Sequence, residues 1–457
     1  MKMLNKRPPF QQKLSTFLLY LFVFLLPWQT VFLLQEKIIA GEKFQYDTIG
    51  IYLFEIILFV WILTISNFSQ IRCSLLFQYF KNFLNHSILN ISIFLFTLWS
   101  ILSIIWAPDK SLAVSFSLKL ILGITLFFII SQSKKFRQIN IKKIIVVFLI
   151  SATIQGILGI WQFTEQKTFS NKWLGTTSHI IWQGGTSVLQ NKSGRWLRAY
   201  GGLEHPNILA GYLLIALFFS FCLYLLSINK SVFYKKILFY FSITIIFFAF
   251  LITFSRTAYL AFSIGLFLFF IYIVSQKKKS LLRKLFFPFL TIILITIFFT
   301  TTYSNLLLSR VTSISRLEQK SINDRLLYIS EAENQINQHP FIGVGLNNYT
   351  LSVYNDDIYK KPGWQYQPVH NVFILILAEL GLIGLVLFAS IIIQLLWHIS
   401  IIFKEPFQKK ELPKIFFAIA FISLIIIFIF DHWLWTSDFG FFLFWLVAGF
   451  LMKRDYL

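Results

Sequence analysis

Long apolar runs alternate with short polar gaps along this chain, and every second gap is loaded with Lys and Arg while the others are not. Twelve runs are long enough to be spans, near 16–35, 49–66, 88–106, 113–131, 142–162, 206–227, 236–254, 257–275, 284–303, 372–399, 413–431 and 434–452. A helix needs roughly 20 residues to cross a bilayer core of about 30 Å. With the N-terminus placed inside, the inner segments hold 25 Lys and Arg, and the four short outer connections hold 4. The positive-inside bias is weighed on such short connections. The pattern therefore predicts an all-α polytopic membrane protein with about 12 transmembrane helices. Both termini are cytoplasmic, and the large outer loop 304–371 joins spans nine and ten.

Composition sharpens this reading. Hydrophobic residues make up 57% and charged ones 13%, which excludes disordered and ordinary soluble chains. The net charge of +22 would point to nucleic acid in a soluble protein. Here most of it lies in inner gaps beside anionic headgroups, so membrane lipids are the expected partner and nucleic acid is not. The basic stretch before the first run lacks a small-x-small cleavage site and reads as part of a retained span. Cys73 falls in an inner gap and Cys222 in a span, so no disulfide is expected across the outer loops. Trp28, Trp106, Trp161 and Trp435 fall at expected outer ends of spans, as interfacial aromatics do.

Within 304–371, Ser321 and Asp324 read as a capped helix start, with apolar residues Ile322, Leu326, Ile329 and Ile336 recurring behind them. That helix is expected to stop at His339-Pro340. A glycine-rich turn, Gly343-Val-Gly345, follows. In the other outer loop, 163–205, Arg198 to Asn207 leads into the sixth span, with Pro206 suited to its first turn.

Charged groups at the edge of hydrocarbon are costly and mark function. Arg256 sits in a turn with almost no loop between spans seven and eight, against the inside bias. Arg325 is placed in the first turn of the loop helix, where a cation opposes the helix dipole. His370-Asn371 opens span ten, and histidine is the side chain that titrates near neutrality. Two arginines grip phosphate through paired charged hydrogen bonds, and a histidine supplies a base. With no energy source outside, the leaving group must arrive activated, as in a polyprenyl pyrophosphate carrying a sugar. Arg198, His205 and Asn207 are expected at the edge of such a site. Glu379 is expected to pair with Lys119 or to line an acceptor groove. Asp356-Asp357 is read as solvated rather than metal-binding, so no metal or cofactor is expected.

These pieces, in this order, resemble the O-antigen ligase and polymerase superfamily over roughly 195–390. The resemblance rests on Arg198-x-x-Gly201 with Pro206-Asn207, Ser255-Arg256, Asp324-Arg325, Gly343-x-Gly345-x-x-Asn348-Tyr349, His370-Asn371 and Glu379-Leu-Gly381-Leu-Ile-Gly384. It divides the chain into helices one to five plus an outer loop (1–195), a ligase-like core (196–400) and two C-terminal helices (401–457). It implies a metal-independent, inverting glycosyltransferase of the cytoplasmic membrane, working on its outer face. The implied donor is an undecaprenyl-pyrophosphate-linked glycan, and the implied acceptor bears a lipid or a glycan. Arg256 and Arg325 would bind pyrophosphate and His370 would act as base, with Arg198, His205, Asn207, Asn371 and Glu379 around the substrates. Ligase, polymerase and protein O-glycosyltransferase share these motifs and differ in acceptor, and ligase is preferred for the single large loop. An exporter is the rival of another class. It is disfavoured because the polar groups gather at one face instead of the bilayer midplane.

Overall fold

The computed structural model describes residues 9–39, 42–65, 87–132, 139–191, 194–227, 233–312 and 316–453. Cys73 and the basic gaps around 66–86 and 133–138 lie outside them. Eight helices are long and apolar enough to cross a membrane, or nine if Phe286–Thr302 and Ser304–Arg310, bent by 85° at Tyr303, count as one span. Three shorter apolar helices, Phe10–Leu25, Leu53–Ile65 and Asp438–Leu451, fall at the other expected runs. The chain is an integral membrane helix bundle with one continuous apolar core.

Connections expected on one side meet at one end of the bundle. There Thr30 donates to the Trp173 carbonyl at 2.6 Å, Tyr46 to Gln367 at 2.7 Å, and Asn207 to Asp431 at 2.9 Å. At the opposite end, Gln276 joins the 405–407 connection, donating to Glu405 O at 3.2 Å and accepting from Phe407 N at 3.0 Å.

Several expectations need correction. The first helix ends at Leu25, because Pro27 cannot continue it. Val31–Gln35, counted within a span, pairs instead as an antiparallel strand with Ile49–Tyr52, and the second helix starts only at Leu53. An apolar strand and an apolar helix look alike in hydropathy. The loop helix runs Arg316–Gln338, so Ser321 is no cap and Arg325 lies in its third turn, where the dipole argument no longer applies. Its end before His339-Pro340 is as expected. Trp435 is buried, not interfacial, and donates to Glu379 at 3.0 Å. Lys119 pairs with Asp438 at 2.5 Å, not with Glu379.

The helix Val372–Lys404 is broken at Gly381 (φ 68°, ψ −172°). The break frees backbone groups that lipid cannot satisfy. The glycine turn takes them up. Val344 N donates to Ala378 O at 3.0 Å and Gly345 N to Glu379 O at 2.8 Å, while Leu382 N donates back to Pro340 O at 2.9 Å. Trp99 Nε1 donates to Leu380 O at 2.9 Å. The two backbones touch: a Cβ on Gly343 (φ 69°) would lie 2.3 Å from Glu379 C, and one on Gly381 would lie 2.2 Å from Phe341 C. Asn348 then ties the turn to the 103–109 connection, accepting from Asp109 N at 2.8 Å and donating to Asp109 O at 3.1 Å.

Gly381→Ala and Gly343→Ala each combine a left-handed backbone, costing about 1–2 kcal/mol for an L-residue, with backbone overlap. Each variant is expected to melt several degrees below wild type in detergent, read by intrinsic fluorescence. An unchanged midpoint in both would show that the two segments separate freely.

Candidate functional site

The turn between Phe233–Leu251 and Arg256–Ser275 is set by Phe254 in the left-handed region (φ 50°). It points Arg256 into the space under the loop. Arg310, at the end of the bent helix, donates to Phe254 O at 3.3 Å and pairs with Glu318 of the loop helix. Glu318 is buried and also pairs with Arg256 at 3.5 Å. Arg325 comes in two turns further along the same helix. Asn207, Ser255, Arg256, Thr257, Leu260, Arg310, Arg325 and Phe430 line one cavity of about 200 Å³. Three guanidinium groups line it, two of them paired with Glu318, and Ser255 and Thr257 lie beside them. Such a set fits a phosphate or pyrophosphate, for which arginine forks are matched.

Arg198 stands behind this cavity. It is 4% exposed and gives its donors to Thr253 O at 2.6 Å, Ser187 Oγ at 2.7 Å and Asn207 Oδ1 at 2.8 Å. Burial, and then the charge of Arg310, push its pKa down to about 9. It positions Asn207 rather than reaching the cavity. Asn207 in turn donates to Asp431 Oδ2 at 2.9 Å. The other oxygen of Asp431 lies 3.4 Å from His370 Nδ1 and accepts from His432 N at 2.9 Å. A continuous polar chain therefore runs Arg198, Asn207, Asp431, His370, from the wall of the cationic cavity to the histidine.

His370 is a quarter exposed and is flanked by His432 (ring centroids 4.9 Å) and Tyr328 (5.9 Å). His432 is buried and shares a 2.8 Å hydrogen bond between Nδ1 and Thr436 Oγ1. Burial, then the nearby His370, push its pKa down to about 3. His205 accepts from Asn207 N at 3.1 Å, and burial followed by the charge of Arg198 also takes it to about 3. Asp431 is held well below the usual carboxylate range, against its burial, by the hydrogen bond and charge of His370.

Ligand atoms of His370, Asp431 and His432 lie within 4.8 Å of one another, the one group among the described residues able to hold a metal ion. Asp431 accepts from Asn207 and faces His370, and His432 Nδ1 shares a hydrogen bond with Thr436. The acid pair read as solvated is bound internally: Asp356 accepts from Gln335 at 2.7 Å and Asp357 from Tyr366 at 2.8 Å. Asn371 caps its helix, accepting from Phe373 N at 2.9 Å and Ile374 N at 3.0 Å, so its amide faces the backbone instead of a substrate. Glu379 is buried beneath the glycine turn and does not line a groove.

Of the expected residues, the structure brings Arg256, Arg325 and Asn207 to one cavity and links His370 and Arg198 to it. Sequence reasoning missed Arg310, Glu318, Asp431 and His432. Asp431-His432 carried a usable signal, a charged and a titratable residue at the expected outer end of an apolar run.

The sign of one pH effect follows from these shifts. Below about pH 6.5 the unfolded chain takes up a proton at position 432 that the folded protein refuses until about pH 3. Stability is lost as pH falls through that window, by at most about 1.4 kcal/mol per unit for this one group. Asp431 adds to the loss only below the ordinary carboxylate range. His432→Gln is expected to flatten the fall in melting midpoint between pH 6.5 and 4.5. An unaltered slope would mean that His432 charges readily in the folded state.

Residues 240–389 match the family model described as O-Antigen ligase, a stretch holding Arg256, Arg310, Glu318, Arg325, the glycine interlock and His370. A search of curated proteins finds no match. Over residues 240–389, then, the match supports the O-antigen ligase superfamily.

Proposed function

We propose that this chain transfers a glycan from undecaprenyl pyrophosphate to an acceptor hydroxyl, at the outer face of the cytoplasmic membrane. The observation that carries this reading is the polar chain that joins a three-arginine cavity to an Asp–His pair. With Nδ1–H donating its hydrogen bond to Asp431, His370 presents Nε2 as an acceptor. The acceptor hydroxyl gives its proton to Nε2 as its oxygen bonds to the anomeric carbon. The bond from that carbon to the pyrophosphate oxygen breaks on the opposite face, and the electron pair leaves with the phosphate. The configuration inverts. Arg256, Arg310 and Arg325 stabilise the charge gathering on the leaving group, an electrostatic contribution worth about 3–4 kcal/mol per well-placed donor in such sites. Three arginines supply the cation that a metal would otherwise bring, so chelator is expected to leave the rate unchanged.

Ligase activity is the preferred form, and it is tested in the cell. Without the protein, long glycan accumulates on its carrier and never reaches its acceptor. An acceptor carrying one repeat would mark a polymerase instead. In proteoliposomes with polyprenyl-pyrophosphate-linked glycan, His370→Gln and Asp431→Asn are expected to lower kcat by about 10²–10⁴-fold while donor affinity stays near wild type. Arg256→Ala is expected to weaken donor binding as well. Full kcat in the His370 variant would remove the base from this mechanism.

A further inference from the structure

A second cavity lies at the end of the bundle opposite the arginines, and the transferase reading makes no use of it. Its volume is about 510 Å³, within the range of small-ligand pockets. Three helices build it. Pro206–Ser227 contributes Tyr224, Phe233–Leu251 contributes Lys236 and Tyr240, and Phe286–Thr302 contributes Phe287, Leu290 and Leu294. Lys236 stands at the start of its helix, about 22 Å along the axis from the end that leads to Arg256. The Tyr224 and Tyr240 hydroxyls lie 3.4 Å apart and share one hydrogen bond, so one phenolic hydrogen is left to donate. The apolar wall of Phe287, Leu290 and Leu294 is exposed, with no protein laid over it.

The positive charge here has no counterpart on the elements that build the cavity. Between Glu204 and Glu318 the sequence contains no Asp or Glu, and all three helices come from that stretch. No carboxylate lines the cavity, and Lys236 has no ion pair among the described residues. Glu405 and Glu411, the acids at this end, belong to the connection after the long helix, and Glu405 pairs with Lys414 at 3.8 Å. Phe233–Leu251 and Phe286–Thr302 run in the same direction. Their first halves meet at the cavity, and Phe248 meets Phe299 further along, with ring centroids 6.4 Å apart. Both therefore start at this end, and the short basic helix Lys279–Lys284 leads into the second of them. Two positive helix ends, Lys236, Arg283 and Lys284 make a field that an anion relieves. A lysine that only orients the chain needs neither a cavity nor hydroxyls beneath it.

We propose that this cavity binds one anionic phospholipid. Its phosphate is held by Lys236 and by the free hydrogen of the tyrosine pair, and an acyl chain lies against Phe287, Leu290 and Leu294. An ammonium is a compact point charge suited to a phosphate oxygen, and basic pockets between membrane helices take such headgroups. A zwitterionic lipid offers the same phosphate but brings its own cation to a place already rich in them. Phe286–Thr302 packs on Pro206–Ser227 through Phe289 and Phe221, with ring centroids 5.4 Å apart. Bound lipid ties that pair to Phe233–Leu251, and so supports the helices that end at the Tyr303 bend and at the Arg256 turn. No residue of the arginine cavity takes part, so lipid binding stands or falls separately from transferase activity.

The whole chain, stripped of lipid in detergent, is titrated with phosphatidylglycerol, with phosphatidylcholine of the same acyl chains and with glycerol 3-phosphate. Bound ligand is counted by native mass spectrometry. Wild type is expected to take up a first phosphatidylglycerol about tenfold more tightly than phosphatidylcholine, and to hold glycerol 3-phosphate far more weakly than either. Lys236→Ala is expected to weaken phosphatidylglycerol by about tenfold or more, the loss of a hydrogen bond to a charged group, while Lys236→Arg keeps most of the affinity. Tyr224→Phe combined with Tyr240→Phe is expected to lose a smaller factor. Lys235→Ala removes the same charge one residue away, over the Tyr234 ring and outside the cavity, and is expected to change nothing. Equal losses in Lys235→Ala and Lys236→Ala would mean a diffuse charge effect and overturn the site, as would equal affinity for the two lipids. Glycerol 3-phosphate bound as tightly as phosphatidylglycerol would overturn the lipid as occupant and leave a site for the free anion.

Discussion

A helix broken inside a membrane protein must find partners for its freed backbone, and here those partners come from the loop that carries the site. The carbonyls of Ala378 and Glu379 are met by Val344 N and Gly345 N, with Leu382 N returning to Pro340. In hydrocarbon each unmet group would cost several kcal/mol. The requirement therefore fixes the loop helix Arg316–Gln338 on one side of the break and His370, eleven residues before Gly381, on the other. The loop that carries Arg325 and the segment that carries His370 are thus joined through these backbone hydrogen bonds. Glycine is needed at both contact points because the backbones meet at distances no Cβ tolerates.

The electrostatics follow from this frame. Glu318 sits buried between Arg256 and Arg310, which keeps three neighbouring cations compatible in the absence of an anion. Asp431 does the corresponding work for the histidines: it is kept ionised by His370 and held by Asn207, while burial leaves His205 and His432 neutral. His370 thus stands among groups whose protonation is settled by their surroundings, an arrangement associated with acid–base chemistry.

Much of the frame was legible in the sequence, because apolar runs long enough to span depend on local composition. Arg256, Arg325 and His370 were legible because charge at the edge of hydrocarbon is rare. What could not be read depends on contacts between distant segments. Asp431 meets His370 across 61 residues, and nothing local to either marks the pair. Arg325 was singled out by a dipole argument that fails, since the helix begins at Arg316; its place at the cavity comes from loop docking instead. The strand Val31–Gln35 was mistaken for helix because hydropathy does not distinguish two ways of being apolar.

The anion cavity draws its wall from four stretches far apart in the chain: Asn207, the Ser255–Thr257 turn, Arg310 and Arg325, with Phe430 closing it. No single helical hairpin contains enough of it to hold an anion. During insertion, spans enter one after another, and a chain halted before its eleventh helix has arginines but no finished cradle. Spreading the cradle across the whole fold makes completion of the chain the condition for engaging the substrate.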